Sequence, residues 1–153
     1  MPDMLVRLYA LPDRKVKFEN GYMVRRAAAY DKSVILRWVS QNFSPQWASE
    51  VDVAFSRQPI SCFIALHQEM LVGFSCYEAT CRGYFGPGGV LEAHRGQGIG
   101  TILLLECLRS MKEMGYAYAI IGGVGPKEFY AKTVGAIDIP DSTPGIYTPP
   151  IEG

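Results

Sequence analysis

The chain has 153 residues, 48% of them apolar, and its 15 basic and 15 acidic side chains cancel. This length predicts a single domain, 1–153, with a substantial core. No basic run is longer than a pair, so we expect no nucleic-acid partner and no membrane surface as partner. The first 30 residues lack the apolar segment of a secretion signal, and no 18 apolar residues are consecutive, so we expect a cytoplasmic protein.

Apolar periodicity and residues typical of helix starts predict the first strands and helices. Residues 1–20 are an N-terminal extension of open role, in which Met4–Leu11 has the pattern of a short strand. Tyr22–Ala27 is predicted as a strand, and the apolar spacing in Lys32–Asn42 predicts a helix with Asp31 at its N-cap. Ser44 and Pro45 suit the start of a second helix that ends before Pro59.

The middle of the chain changes to strand periodicity. Ile60–Leu66 and Met70–Tyr77 are predicted to form a hairpin. Tyr84–Leu91 is strand-like but contains a proline and three glycines, which argue against a regular central strand. The cysteines show no C-x-x-C pair, which predicts buried reduced thiols and no metal site. They are Cys62, Cys76, Cys81 and Cys107.

A glycine-rich stretch, His94–Thr101, precedes a long amphipathic segment. The first amides of a helix have no intrahelical partner, and glycines leave room for phosphate oxygens to reach them. The stretch lacks the lysine of a Walker A loop, because Thr101 directly follows the last glycine. It also lacks the spacing of a Rossmann fingerprint, and the next strand ends in glycines and not in an acid. We therefore predict a pyrophosphate site of another kind.

The remaining elements follow in order. We predict a helix over Gly98–Met114, a strand over Tyr116–Ile121 and a short helix over Lys127–Val134. Two final strands, Ala136–Ile139 and Ile146–Thr148, are expected on either side of a loop rich in turn residues.

The segment Arg95-Gly96-Gln97-Gly98-Ile99-Gly100 resembles the (Gln/Arg)-x-x-Gly-x-(Gly/Ala) motif of the GNAT superfamily of N-acetyltransferases. The order of elements from residue 22 resembles the same family. The resemblance implies an α/β fold with a mixed, mostly antiparallel sheet, a central parallel pair of strands and flanking helices. It also implies acetyl-CoA as the acyl donor and an N-acetyltransferase that acts on a primary amine of a small molecule or peptide by direct attack.

The resemblance also implies roles for particular residues. Val90, five residues before Arg95, would present its amide to the acetyl oxyanion, and Tyr130 would donate to the leaving thiolate. These two are the expected catalytic residues. The expected cofactor-binding residues are Val90, Arg95, Gly96, Gln97, Gly98, Ile99, Gly100, Thr101 and Tyr130.

The sequence departs from the family pattern at several positions. Gly123 replaces a frequent asparagine, Pro126 replaces a frequent alanine, Gly135 falls one residue late, and Tyr84 stands where some relatives carry a catalytic glutamate. The general base therefore stays open. The titratable candidates are Glu78, Glu92, His67 and His94, and each can also be interpreted as a residue that faces water. Direct loss of the amine proton to water is an equal alternative.

The acceptor site is expected over the parted strands, where Trp47, Glu50, Asp52, Tyr84 and Tyr147 are candidate lining residues. For Glu50 and Asp52 we favour the interpretation that both lie on a solvated helix face. A non-catalytic acyl-CoA sensor is the alternative function, and a nucleotide-binding α/β domain is a weaker one. A homodimer is left open.

Overall fold

The computed structural model describes residues 1–15, 18 and 20–153. Within these residues it contains seven strands and four α-helices. The strands are β1 Met4–Arg7, β2 Tyr22–Arg26, β3 Cys62–His67, β4 Met70–Tyr77, β5 Tyr84–Val90, β6 Tyr118–Ile121 and β7 Ile137–Asp138. The helices are α1 Lys32–Asn42, α2 Pro45–Ala54, α3 Ile99–Glu113 and α4 Lys127–Val134.

The strands form one sheet in the order β2-β3-β4-β5-β6-β1-β7. Every neighbouring pair is antiparallel except β5 and β6, which run parallel. The predicted mixed α/β fold with a central parallel pair is therefore confirmed. Helix α3 supplies the crossover between the two parallel strands, as a parallel connection requires.

Each face of the sheet carries its own apolar cluster, because successive strand residues point to opposite sides. In β3, Phe63 and Ala65 pack with the buried side of α3, whereas Cys62 and Ile64 pack with α1 and α2. Ten of the fifteen residues of α3 are buried, and they include the polar Ser110. The cysteines are free thiols, and all but Cys81 are buried.

The N-cap residues of α1 and α2 use their polar side chains differently. Ser44 caps α2 by accepting a hydrogen bond from the Trp47 amide at 3.1 Å, as predicted. Asp31 occupies the N-cap position of α1 but makes no side-chain cap. Its carboxylate instead binds Arg25 at 2.8 Å and the Ala28 amide at 2.8 Å, so it ties the start of α1 to β2.

One element of the prediction is wrong: Ile146–Thr148 forms no strand. The position beside β6 and β7 is filled by β1, which pairs antiparallel with both. Alternate residues Met4 and Val6 of β1 are only 2% and 0% exposed, so this strand contributes to the core. The N-terminal extension thus completes the sheet, whereas Ile146 stays 51% exposed.

The parallel strands separate soon after they meet. β5 and β6 pair at Tyr84–Ile120 and Phe85–Ile121, and the described residues of β5 beyond Phe85 have no register partner on β6. The β4–β5 register also shifts between Ser75 and Tyr77. The predicted break at the proline and glycines is therefore present as an irregular strand beside a gap in the sheet.

Candidate active site

A cavity of about 680 Å³ lies between the outer half of β5, the start of α3 and α4. Its walls combine apolar side chains with glycine backbone, which is typical of small-molecule sites. Its lining residues include Val90, Gly96, Gly98, Gly100, Phe129 and Tyr130. Of the nine residues predicted to bind the cofactor, Gln97 alone lies outside the lining, although it belongs to the same loop.

The loop before α3 presents unpaired amides to this cavity. In the described chain, the Arg95 amide donates to Glu92 at 3.2 Å and the Ile102 amide donates to Gly98 at 3.2 Å. None of the amides of 96–101 has a protein acceptor there. These donors sit at the positive end of the α3 dipole, so the loop has the character of an anion site.

Backbone conformation explains two of the glycines. Gly96 has φ +82° and Gly98 has φ +81°, a left-handed region in which a Cβ is unfavourable. A Cβ placed at Gly96 would meet no atom within 4 Å, so the conformation and not crowding by the protein sets the requirement for glycine. Arg95 is exposed, and its Nε donates to the Val90 carbonyl at 3.2 Å, which ties the loop to the end of β5.

The Val90 amide faces the gap and not β4. Leu91 donates to the Val72 carbonyl at 2.8 Å, so the next pair along the ladder, Gly73–Val90, is a non-hydrogen-bonded pair. The backbone groups of such a pair point away from each other. Gly88 holds the same relation to Ser75, two residues earlier in β5. Two amides of β5 are therefore directed towards the opening between the parallel strands.

Tyr130, on α4, lies at the same cavity. Its ring packs edge-on against Phe85, at a centroid distance of 6.3 Å, and against Phe129, at 5.1 Å. Burial raises the pKa of Tyr130 to about 12. The hydroxyl makes no hydrogen bond to any described residue, and it is therefore available to a ligand.

A second cavity, of about 380 Å³, meets the first at Phe85, which lines both. Trp47, Glu50 and Tyr147 line it, as the sequence suggested. Asp52 does not; it is 52% exposed and pairs with Lys32 at 2.8 Å, which fits the predicted solvated face. Tyr84 is not in the lining either, and its hydroxyl donates to Asp3 at 3.4 Å.

Glu50 differs from the expectation of a solvated helix face. It is half-buried, and its Oε2 accepts a hydrogen bond from the Thr80 hydroxyl at 3.0 Å. Burial raises the pKa of its carboxyl, and the Thr80 hydrogen bond opposes that shift. Burial, with the charges of Glu50 and Asp3, also raises the pKa of Tyr147 to about 12.

Two buried carboxylates were not anticipated from the sequence. Glu78 was expected to face water, yet it is 6% exposed and accepts from the Gly83 amide at 2.7 Å and the Tyr116 hydroxyl at 3.2 Å. Asp3 is 5% exposed and accepts from the Gly123 amide at 2.9 Å. Asp3 binds a residue 120 positions away, and the Tyr116 partner of Glu78 is 38 positions away, so no local pattern in the sequence marks their burial.

The three remaining candidates for a general base do not share one location. His94 lines the first cavity and its Nδ1 is 2.8 Å from the Tyr22 hydroxyl. His67 packs beside His94, with ring centroids 5.4 Å apart. Glu92 is exposed. In residues 1–15, 18 and 20–153 there is no group of three or more potential metal ligands, and no helix long and apolar enough to cross a membrane.

Comparison with solved structures identifies the fold. A GCN5-related N-acetyltransferase from Sphaerobacter thermophilus has TM-score 0.70 and 19% identity, over 90% of this chain and 48% of that chain. The glucosamine N-acetyltransferase region of a fungal multi-domain GH3 β-N-acetylglucosaminidase has TM-score 0.69 and 15% identity, over 90% and 19%. This chain thus spans less than half the length of these two proteins.

A third structure, a GNAT family acetyltransferase from Brucella melitensis in complex with acetyl-CoA, has TM-score 0.55 and 20% identity, over 72% of this chain and 82% of that chain. No curated protein matches the chain in sequence. The sequence model of the Acetyltransferase (GNAT) family, however, matches residues 32–135, which is more than half of the chain. With the fold, the parted parallel strands and the glycine loop in agreement, the chain belongs to the GNAT acetyltransferase family.

Proposed function

We propose that this chain is an acetyl-CoA-dependent N-acetyltransferase that acts on a primary amine. The observation that carries the proposal is the row of unpaired amides at 96–101, which opens into the cavity beside the strand gap. The residues present suit a diphosphate at one end and an acyl thioester at the other. The fold neighbour from Brucella melitensis, solved with acetyl-CoA, agrees with this choice of donor.

The loop residues would hold the diphosphate. Amides of 97–101 supply hydrogen bonds and the α3 dipole supplies partial positive charge. Arg95 keeps its Nε on Val90, while the rest of its guanidinium is available for an ion pair with phosphate. Gly100 lines the cavity at the start of α3 without presenting a side chain to it.

Residues of β5 at the gap between the parallel strands would orient the acyl group. When bound, acetyl-CoA supplies an electrophilic thioester carbonyl, and the inward-facing amide of Val90 is positioned as a donor to the oxygen on which negative charge develops. The Gly88 amide can hold the pantetheine arm, because it faces the same opening. Val90 acts through its main chain, so its apolar side chain is free to pack with the core.

Tyr130 would stabilise the departing thiolate. With a pKa of about 12 it stays protonated at neutral pH, whereas a thiol has a pKa near 8.5. Full proton transfer from this phenol to the thiolate is therefore unfavourable, and a hydrogen bond is the expected contribution. In the overall reaction a C–N bond forms, the C–S bond breaks, and the proton lost by the amine balances the proton gained by the thiolate.

No side chain is assigned as the general base. Both carboxylate oxygens of Glu78 already accept hydrogen bonds within the protein, and Tyr84 donates to Asp3. We infer that the amine proton leaves through water, as the sequence also allowed.

Two measurements test this function. Calorimetric titration is expected to show binding of acetyl-CoA, with ATP and NAD as negative controls. Thiol release from acetyl-CoA is then followed against a broad panel of primary amines, and turnover above hydrolysis is expected for at least one. Binding without turnover on any amine would favour the acyl-CoA sensor, and absence of acetyl-CoA binding would refute both functions.

A further inference from the structure

The second cavity has one charged side chain in its wall, Glu50, and the N-terminal residue Met1 also lines it. Glu50 is the only lysine, arginine, histidine, aspartate or glutamate among the described lining residues. No basic group of the described chain lies within 4.0 Å of its carboxylate, since the ion pairs found there involve other residues. A half-buried carboxylate whose protein partner is only a Thr80 hydroxyl has capacity for a cation.

Aromatic rings complete the surroundings of this carboxylate. Trp47 and Tyr147 both line the cavity, and the Trp47 ring is fixed by stacking on Phe43 at a centroid distance of 5.4 Å. Tyr147 packs tightly over Gly122, at the end of β6, where a Cβ would collide with its hydroxyl. A carboxylate beside aromatic faces is the chemistry that binds an alkylammonium ion.

Glu50 lies in a different cavity from the residues proposed to contact the thioester. Tyr130 and Val90 line the first cavity and Glu50 lines the second, and Phe85 is the one residue common to both sets. Gly86 and Gly122, which follow the last β5–β6 pair, line the second cavity, so a ligand that fills it would have one end at the strand gap and the other near Glu50. The volume, about 380 Å³, suits a small molecule.

We propose that the acceptor is a small diamine, with one nitrogen held as an ammonium ion by Glu50 and the other delivered uncharged to the strand gap. This inference rests on the proposed acetyltransferase function and names its acceptor class. Glu50 is then a specificity-determining residue, because it binds the acceptor away from the bond that forms.

Three acceptors of matched length test the proposal: 1,5-diaminopentane, 5-amino-1-pentanol and pentylamine. The wild-type protein is expected to show kcat/KM for the diamine roughly tenfold or more above that for the other two, since a hydrogen-bonded ion pair contributes about 1.5–3 kcal/mol. Added salt is expected to raise KM for the diamine and to leave KM for the neutral-tailed amines unchanged.

Glu50→Gln keeps the acceptor oxygen for Thr80 and removes the charge. We expect it to raise KM for the diamine about 10- to 100-fold with kcat nearly unchanged, and to leave both other amines unaffected. Asp52→Asn is the matched control, because Asp52 lies on the same helix but pairs with Lys32 at the surface. It should change none of these values.

Other results would overturn the proposal. Equal kcat/KM for the three amines would do so, and so would a Glu50→Gln protein whose kcat falls alike for all of them, which would place Glu50 at the reacting amine. If acetyl-CoA binds but no amine is acetylated, the proposed function fails separately. Calorimetry of 1,5-diaminopentane with the acetyl-CoA complex then decides: binding lost in Glu50→Gln supports the inference, and no binding or equal binding refutes it.

Discussion

The Tyr130 hydroxyl is the side-chain group on which the proposed chemistry depends most. Tyr130→Phe removes only the oxygen, and we expect kcat to fall roughly 10- to 100-fold, the value of one hydrogen bond to a charged group. The dissociation constant for acetyl-CoA should change less than about twofold, because that binding rests on backbone amides. Steady-state kinetics and calorimetry measure the two effects separately.

The matched control is Tyr118→Phe, since Tyr118 is 47% exposed and its hydroxyl lies 3.4 Å from that of Tyr9. It should leave kcat unchanged. The pH profile gives an independent reading: because burial raises the pKa of Tyr130 to about 12, the donor stays protonated and turnover should not decline between pH 8 and 10 through its ionisation. An unchanged kcat in Tyr130→Phe would contradict the assigned role.

At the scale of elements, the two ends of α3 offer a comparison of glycines. Gly96 precedes the helix with φ +82° and Gly115 follows it with φ +104°, and a Cβ at either would meet no atom within 4 Å. Alanine at each position should therefore cost a similar amount of stability, about 1–2 kcal/mol from backbone strain. Only Gly96→Ala should weaken acetyl-CoA binding, because Gly96 lines the first cavity and Gly115 does not.

Thermal unfolding measures the strain and calorimetry measures the affinity. If both variants bind acetyl-CoA equally well, the loop amides are not the phosphate site. If Gly115→Ala also lost affinity, the effect would come from general destabilisation and not from the loop.

Helices and hairpins were predictable because their signals are local. The α4 bounds match the prediction, as do those of α1, and β4 and the Ser44 cap were also correctly predicted. The loop at 95–101 was recognisable because glycine spacing records backbone conformation directly. The burial of Glu78 and the half-burial of Glu50 were not predictable, since Tyr116 and Thr80 lie 38 and 30 residues away from them.

At the scale of the whole molecule, β1 is the feature that the sequence left open. A four-residue strand with two buried side chains resembles many surface segments when read alone. Its place between β6 and β7 depends on residues more than a hundred positions later. The family resemblance began at residue 22 and gave no information about this part of the chain.

Val6→Ala tests whether β1 is integral to the fold. Val6 is 0% exposed, so the loss of two buried methyl groups should reduce the free energy of unfolding by about 2 kcal/mol. For a chain of this size that corresponds to a fall in Tm of about 4–8 °C. Ile137→Ala on β7 is the control, because Ile137 is 56% exposed and should cost well under 1 kcal/mol.

Equal melting temperatures for wild type and Val6→Ala would show that the sheet does not need its N-terminal strand. An equal fall in Tm for Ile137→Ala would show that strand packing at this end of the sheet in general, and not β1 in particular, limits stability.

The pairing of Met4 with Ile121 has a consequence for the order in which the chain folds. Strand β1 is synthesised before β6 and β7, so its neighbours in the sheet do not exist until more than a hundred further residues have been made. Until then its apolar residues have no partner, and the hairpin of β3 and β4, together with α1 and α2, can assemble without them. Pairing of β1 with β6 and β7 is therefore expected to be a late, long-range step in folding.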